Sequence, residues 1–135
     1  MSTVVVDTSA MVAILTHQPG HDWLAAQLAG AGERLMSAPT ALELGIVLEA
    51  RSPTATGILR RALRDAQITV MPFDDGLAQR ALDAWRRYGK GRHPAALNFG
   101  DCCSYALAEA TGWPLLCVGD DFSWTDLAVL RPSGD

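Results

Sequence analysis

The sequence has no apolar run long enough to cross a membrane. A membrane helix needs about 20 consecutive apolar residues, whereas the longest uncharged stretch, residues 8–21, is interrupted by Pro19 and Gly20. The N-terminus has no basic flank and reaches a charge at Asp7, so a signal peptide is not expected. These absences predict a protein without membrane contact and with a cytoplasmic location.

Cysteine and histidine are also scarce, with three of each in the chain. Cys102 and Cys103 are adjacent and Cys117 lies in an apolar run, which is no disulfide framework. A zinc site would need more soft ligands at closer spacing. The three cysteines are therefore predicted to be reduced and buried.

Positive charge is in deficit, since the chain has 11 Lys and Arg against 15 Asp and Glu, which gives a net charge of −4. The cations are nevertheless grouped in one short basic stretch, which contains Arg86, Arg87, Lys90 and Arg92. Such a stretch could hold the phosphates of an RNA strand. It could equally be a solvated helix end, where cations suit the helix dipole.

Short apolar strands alternate with helical segments along the chain. Strands are predicted at residues 3–6, 34–37, 68–71, 115–118 and 127–130, and helices at 10–15, 22–28, 39–51, a segment ending near 66, 74–88 and 98–111. This alternation predicts an α/β sandwich with a central, mostly parallel sheet of four or five strands. No repeat or change of composition divides residues 1–135, so we expect a single domain.

Two acidic residues follow predicted strands directly. Asp7 comes after the first strand, and Asp120 with its neighbour Asp121 comes after the strand at 115–118. Ligands of parallel sheets bind beyond the carboxyl ends of the strands. We therefore expect these acids at one edge of the sheet.

Each candidate acid also has a purely structural interpretation. Asp7 could cap the helix that follows it, and Glu43 could complete a capping box with Thr40. Asp101 lies in a first helical turn, where the dipole favours an acid. Asp120 could simply belong to a turn.

Taken together, the acids favour a cation site. Carboxylates that share a site repel one another unless a cation neutralises them. Oxygen ligands without thiolates or paired histidines select Mg²⁺ or Mn²⁺. Such ions activate water and stabilise the charge that develops during phosphodiester cleavage.

At these residues the chain resembles the PIN-domain family and, within it, the VapC toxins of bacterial toxin–antitoxin systems. The resemblance covers nearly the whole length and is carried by residues 5–10, 36–43, 88–93, 97–105 and 114–122. It implies an α/β/α sandwich and a Mg²⁺- or Mn²⁺-dependent endoribonuclease that acts on tRNA, ribosomal RNA or mRNA. It further implies a VapB-type antitoxin as partner and a homodimer.

The resemblance also implies roles for single residues. The family's acidic positions match Asp7, Glu43, Asp101 and Asp120, and Asp121 could share the fourth role because spacing varies there. Thr8 and Ser9 match positions that hold the first aspartate or its waters. No acidic position is missing, so an active enzyme is expected.

Three other classes of protein compete with this interpretation. A haloacid-dehalogenase-like phosphatase needs a second acid where Ser9 stands, and a response-regulator receiver needs a late lysine, whereas the only lysine is Lys90. An interaction module that keeps the fold without activity is the remaining alternative. Metal-dependent RNA cleavage by the purified protein separates this module from the enzyme.

Overall fold

The computed structural model describes residues 2–133, in which five short strands form one sheet. The strands are β1 (Thr3–Val6), β2 (Glu33–Ser37), β3 (Thr69–Met71), β4 (Leu115–Leu116) and β5 (Val129–Leu130). Their spatial order is β3-β2-β1-β4-β5, and every neighbouring pair is parallel. The predicted parallel sheet is therefore confirmed, with β1 at its centre.

Six helices cover the two faces of the sheet. They are α1 (Thr8–Leu15), α2 (His21–Gly30), α3 (Ala38–Arg51), α4 (Ile58–Asp65), α5 (Asp75–Tyr88) and α6 (Phe99–Thr111), and a short 3-10 helix follows at Asp121–Trp124. No helix within residues 2–133 is long and apolar enough to span a membrane.

The core lies in two layers because β1 is buried on both faces, as parallel strands usually are. Val4 and Val6 pack into one cluster with residues of α1 to α4, and Val5 packs into the other with residues of α5 and α6. Successive side chains of a strand point to opposite faces. The β-branched run thus anchors both helix layers and produces the predicted α/β/α sandwich.

The cysteines are free and buried, as predicted. Burial raises the pKa of Cys102 and Cys103 to about 11 and that of Cys117 to about 12. The thiols therefore stay protonated near neutral pH and behave as small apolar side chains.

The predicted elements all exist, with boundaries that differ by a few residues. β4 and β5 are shorter than predicted because their ladder pairs only two residues of each strand. α3 begins at Ala38, with Ser37 in the N-cap position and Pro39 in the first turn. This earlier start changes the interpretation of Glu43.

Candidate active site

Asp7 lies at the carboxyl end of β1 and is only 4% exposed. Its Oδ2 accepts hydrogen bonds from the Ser9 backbone N–H at 3.1 Å and from Ser9 Oγ at 2.7 Å. Its Oδ1 accepts from Ser104 Oγ at 2.6 Å. Asp7 is therefore the N-cap of α1, as one interpretation held, and the same bonds immobilise a buried carboxylate.

Glu43 does not cap its helix, so the capping-box interpretation is wrong. Because α3 begins at Ala38, Thr40 already lies inside the helix. Glu43 Oε1 instead accepts from Thr8 Oγ1 at 2.6 Å, which joins α3 to α1. A Cβ atom on Gly100 would lie 2.5 Å from Glu43 Oε2, so the missing side chain lets this carboxylate reach the first turn of α6.

Asp101 forms a capping box at the start of α6. Its Oδ2 accepts from the Asn98 N–H at 3.0 Å, and Asn98 Oδ1 accepts from the Asp101 N–H at 2.9 Å. Burial, together with the charges of Asp7, Asp121 and Glu43, nevertheless raises the Asp101 pKa to about 6. Asp101 is thus both a helix cap and a member of a group of mutually repelling acids.

The two acids after β4 occupy different places. Asp121 adds to the negative field that raises the pKa of Asp101. Asp120 lines a neighbouring cavity with Gln18 and Arg131. The charge of Asp121 thus acts on Asp101, whereas Asp120 lies on the surface of the adjoining cavity.

Hydroxyl groups support the carboxylates from behind. Ser9 Oγ accepts from the Val118 N–H at 3.0 Å while it donates to Asp7, which links the start of α1 to the segment after β4. Thr40 Oγ1 lies 3.1 Å from Ser104 Oγ. Since the Ser104 hydrogen is directed at Asp7, Thr40 donates to Ser104. The sequence reasoning missed Ser104 in this role, although its position three residues after Asp101 places both on one face of α6.

The acids border a cavity of about 350 Å³ lined by Asp7, Thr8, Ser9, Val12, Gln18, Glu43, Val47, Asp101 and Val118. No Lys, Arg or His among residues 2–133 lies within 4.0 Å of Asp7, Glu43 or Asp101. A buried carboxylate normally has a partner charge. The cavity is therefore a concave, acidic site without protein cations.

Comparison with known proteins identifies the family of this chain. The sequence model of the PIN domain matches residues 4–126. The chain belongs to the PIN domain family.

Relatives of this PIN domain are similar along almost their whole length. Ribonuclease VapC36 of Mycobacterium tuberculosis is 49% identical over 126 residues, which cover 92% of this chain and 91% of the relative. Ribonuclease VapC of Mycolicibacterium smegmatis is 45% identical over 129 residues, which cover 95% of this chain and 100% of the relative.

Solved structures share the fold at lower sequence identity. Mycobacterium tuberculosis VapC20, a sarcin-ricin loop cleaving toxin, superposes with a TM-score of 0.71 at 20% identity, covering 96% of this chain and 99% of that one. A toxin–antitoxin complex from Klebsiella pneumoniae gives a TM-score of 0.72 at 18% identity, covering 96% and 98%. These likenesses confirm the predicted PIN-like sandwich.

The oxygen ligands that this PIN domain offers suit a hard cation. No group of three Asp, Glu, His or Cys side chains among residues 2–133 is close enough together to bind a metal ion by itself. The polar groups of the site are carboxylate and hydroxyl oxygens, the ligands that Mg²⁺ and Mn²⁺ prefer. Mg²⁺ commonly binds one or two carboxylates and keeps several waters. The site fits such an ion by chemistry and by its uncompensated charge.

The basic stretch of this PIN domain occupies the end of α5 and the loop after it, which joins Leu97 through the Lys90 N–H at 3.0 Å. Arg87 pairs with Asp126 at 3.2 Å and with Glu109 at 3.6 Å, so its charge is already used within the protein. Arg92 stacks on Trp85 at 4.3 Å. Lys90 lines an apolar cavity, and Arg86 is exposed.

Proposed function

We propose that this protein is a metal-dependent endoribonuclease and the toxin of a type II toxin–antitoxin pair. The observation that carries the proposal is the group of Asp7, Glu43 and Asp101, with which no Lys, Arg or His among residues 2–133 forms an ion pair. The names of relatives at 45–49% identity, all VapC ribonucleases, support the same reaction.

The proposed ligands of Mg²⁺ or Mn²⁺ are Asp7 and Asp101, with Glu43 and Asp121 completing the negative field. A bound ion would supply positive charge to the scissile phosphate and to the attacking water. The chain's own contribution is orientation: Ser9 and Ser104 fix both oxygens of Asp7, and Thr8 fixes Glu43. Preformed hydrogen bonds of this kind keep the site in its working geometry.

RNA would also need contacts away from the scissile phosphate. Arg86, Lys90 and Arg92 keep that proposed role because none of them forms an ion pair among the described residues. Arg87 is the weakest member of the predicted set, since moving it to RNA would deprive Asp126 of its ion-pair partner and leave Glu109 with Arg80 alone.

The proposed partners are a VapB-type antitoxin and a second copy of the chain. Large apolar side chains stay exposed on α3 and at the start of α6, with Leu42 64%, Ile46 62% and Phe99 82% accessible. Exposed apolar patches of this kind mark interaction surfaces.

The test of the reaction is cleavage of RNA by purified protein in Mn²⁺ and in chelator. Asp7→Asn and Asp101→Asn should abolish cleavage because each removes a metal-binding charge and almost no volume. Asp65→Asn, an exposed acid on α4, is the matched control and should cleave like wild type. Near wild-type cleavage by either site variant, free of contaminating nuclease, would contradict the proposal and favour an interaction module.

A further inference from the structure

A second polar cavity lies beside the carboxylate cavity at the same edge of the sheet. It measures about 500 Å³ and is lined by Gln18, Pro19, Gly20, Val118, Gly119, Asp120, Arg131, Pro132 and Ser133. Gln18 and Val118 line both cavities. A molecule in one cavity would therefore adjoin a molecule in the other.

Arg131 reaches this edge because it follows β5. Leu130 pairs with Leu116, and the Cys117 N–H donates to the Leu130 carbonyl at 3.0 Å, so the chain leaves the sheet beside the end of β4. Arg131 is exposed, and no carboxylate among residues 2–133 lies within 4.0 Å of its guanidinium. Its five N–H donors are thus available to a ligand.

One wall of the cavity is formed by the turn after α1. Gly20 adopts φ +88°, and a Cβ there would lie 2.8 Å from the Pro132 ring, so the turn after α1 packs directly on the C-terminal segment. The Gln18 N–H donates to the Ala13 carbonyl at 2.9 Å, and the His21 N–H donates to the Gln18 carbonyl at 3.0 Å. The backbone that carries the Gln18 side chain is therefore held in place.

We propose that this cavity is a subsite for the nucleotide next to the scissile bond of RNA. Arg131 holds the phosphate of that nucleotide, and Gln18 and Asp120 hydrogen-bond its base or ribose. Guanidinium groups match phosphate geometry with paired hydrogen bonds, and a cavity of this size suits a small polar ligand. The inference rests on the proposed function, because the reacting phosphate must lie at the carboxylates.

The proposal also assigns different roles to the two adjacent acids. Asp120 faces the nucleotide, whereas Asp121 belongs to the field around Asp101. Asp120→Asn should change the order of preference among the four bases and keep the stabilisation of the protein by Mn²⁺. Asp121→Asn should weaken that stabilisation and keep the base preference, and the reverse pattern would overturn the assignment.

The direct test is binding of the four nucleoside 5′-monophosphates to ¹⁵N-labelled full-length protein in Mg²⁺, followed by NMR. Inorganic phosphate and the free nucleosides are the control ligands. The amide signals of Gly20 and Gly119 should shift with at least one monophosphate and much less with either control. Arg131→Gln should weaken this binding by about tenfold, the effect expected of one charge-assisted interaction, whereas Arg60→Gln on α4 should leave it unchanged.

Several results would overturn the subsite. They are no binding at millimolar concentrations, equal binding by Arg131→Gln, equal binding of inorganic phosphate, or shifts confined to Ser9 and Asp101. If wild type cleaves RNA and Arg131→Gln matches its KM, the subsite fails and the ribonuclease assignment stands. If monophosphates bind through Arg131 to a protein that cleaves no RNA, the reaction fails and the nucleotide site stands.

Discussion

At the residue scale, Asp7 and Asp101 each do two things at once. Both take part in capping a helix, and both contribute charge to a cavity with no Lys, Arg or His among its described lining residues. Capping needs only an acceptor oxygen, which asparagine also supplies, whereas a cation site needs the charge. Substitution by asparagine therefore separates the two roles, which substitution by alanine would not.

Gly100 provides a test of Glu43 that leaves every acid in place. Gly100→Ala should lower RNA cleavage on the order of tenfold or more, because the new methyl group would displace the Glu43 carboxylate and misplaced groups are costly in catalysis. Stability should be kept or rise by at most about 1 kcal/mol, since alanine favours helix. Gly76→Ala, at the equivalent position of α5, is the control: it should gain a similar helix-preference stabilisation of at most about 1 kcal/mol and leave cleavage unchanged, because its Cβ meets only an ordinary contact. Unaltered cleavage by Gly100→Ala would mean that the position of Glu43 is unimportant.

Asp101 should make the stability of the metal-free protein depend on pH. Its pKa is about 6 in the folded state and about 3.9 in the unfolded chain, so the folded state binds the proton more tightly. Stability should therefore fall as pH rises from about 4 to 6, by on the order of 2 kcal/mol after screening. Denaturant unfolding of wild type and Asp101→Asn in chelator measures this. The difference between them should widen over that range, and a constant difference would contradict the raised pKa.

At the element scale, the region after β4 is attached to the helices by one polar network. Buried Tyr105 donates to Asp126 Oδ1 at 2.5 Å, and Arg87 donates to Asp126 Oδ2 at 3.2 Å. These bonds hold the pKa of Asp126 below its usual range. The network fixes the segment that follows the 3-10 helix and thereby the 3-10 helix itself, which begins at Asp121.

Tyr105→Phe should destabilise the protein by about 1–3 kcal/mol, because it deletes a hydroxyl that donates to Asp126 and accepts from Arg87, with almost no change of side-chain volume. Asp126→Asn should cost a similar amount, and the double variant should cost less than the sum of the two. Denaturant unfolding of the four proteins gives the coupling. Strict additivity would show that the two residues do not act as a pair.

The elements were largely predictable, and the exceptions have physical causes. The β-branched run at residues 3–6 indicates a strand, and the periodicity of α5 and α6 indicates helices. Helix α3 begins at Ala38, one residue before the predicted start, because proline is tolerated in the first turn. The capping-box interpretation of Glu43 is wrong because it needs Thr40 as the N-cap, whereas the N-cap is Ser37. Ligands bind beyond the carboxyl ends of parallel strands, and Arg131 directly follows β5. The same rule that selects Asp7 and Asp120 therefore also selects Arg131, which the sequence analysis does not name.

The candidate site was predicted only as far as topology reaches. Strand ends placed Asp7 at the sheet edge, and the starts of two predicted helices offered Glu43 and Asp101 as further candidates. The resemblance then matched all three to the acidic positions of the family. The partners of these acids, Thr8 for Glu43 and Ser104 for Asp7, depend on packing between α1, α3 and α6. Arg87 could not be recognised as an internal ion-pair partner, because Asp126 is 39 residues away in the chain.

At the scale of the whole molecule, the apolar face formed by Leu42, Ile46 and Phe99 should be buried by a second copy. Ile46→Glu should convert a dimer to monomers, since a buried, unpaired charge opposes association. Trp113→Glu, which changes an exposed apolar residue outside this face, is the control and should leave the dimer intact. Light scattering with size exclusion measures both, and a wild-type monomer would contradict the proposed homodimer.

The most direct test of the central claim is thermal melting of wild type and Asp101→Asn in chelator and in Mn²⁺. Asparagine keeps an acceptor for the Asn98 N–H and removes one charge from the acidic group. If the acids form a cation site, the variant melts higher than wild type in chelator, and Mn²⁺ stabilises wild type much more than the variant. If the acids are only helix caps, the variant melts at or below wild type in chelator and Mn²⁺ changes neither protein, which would contradict the account.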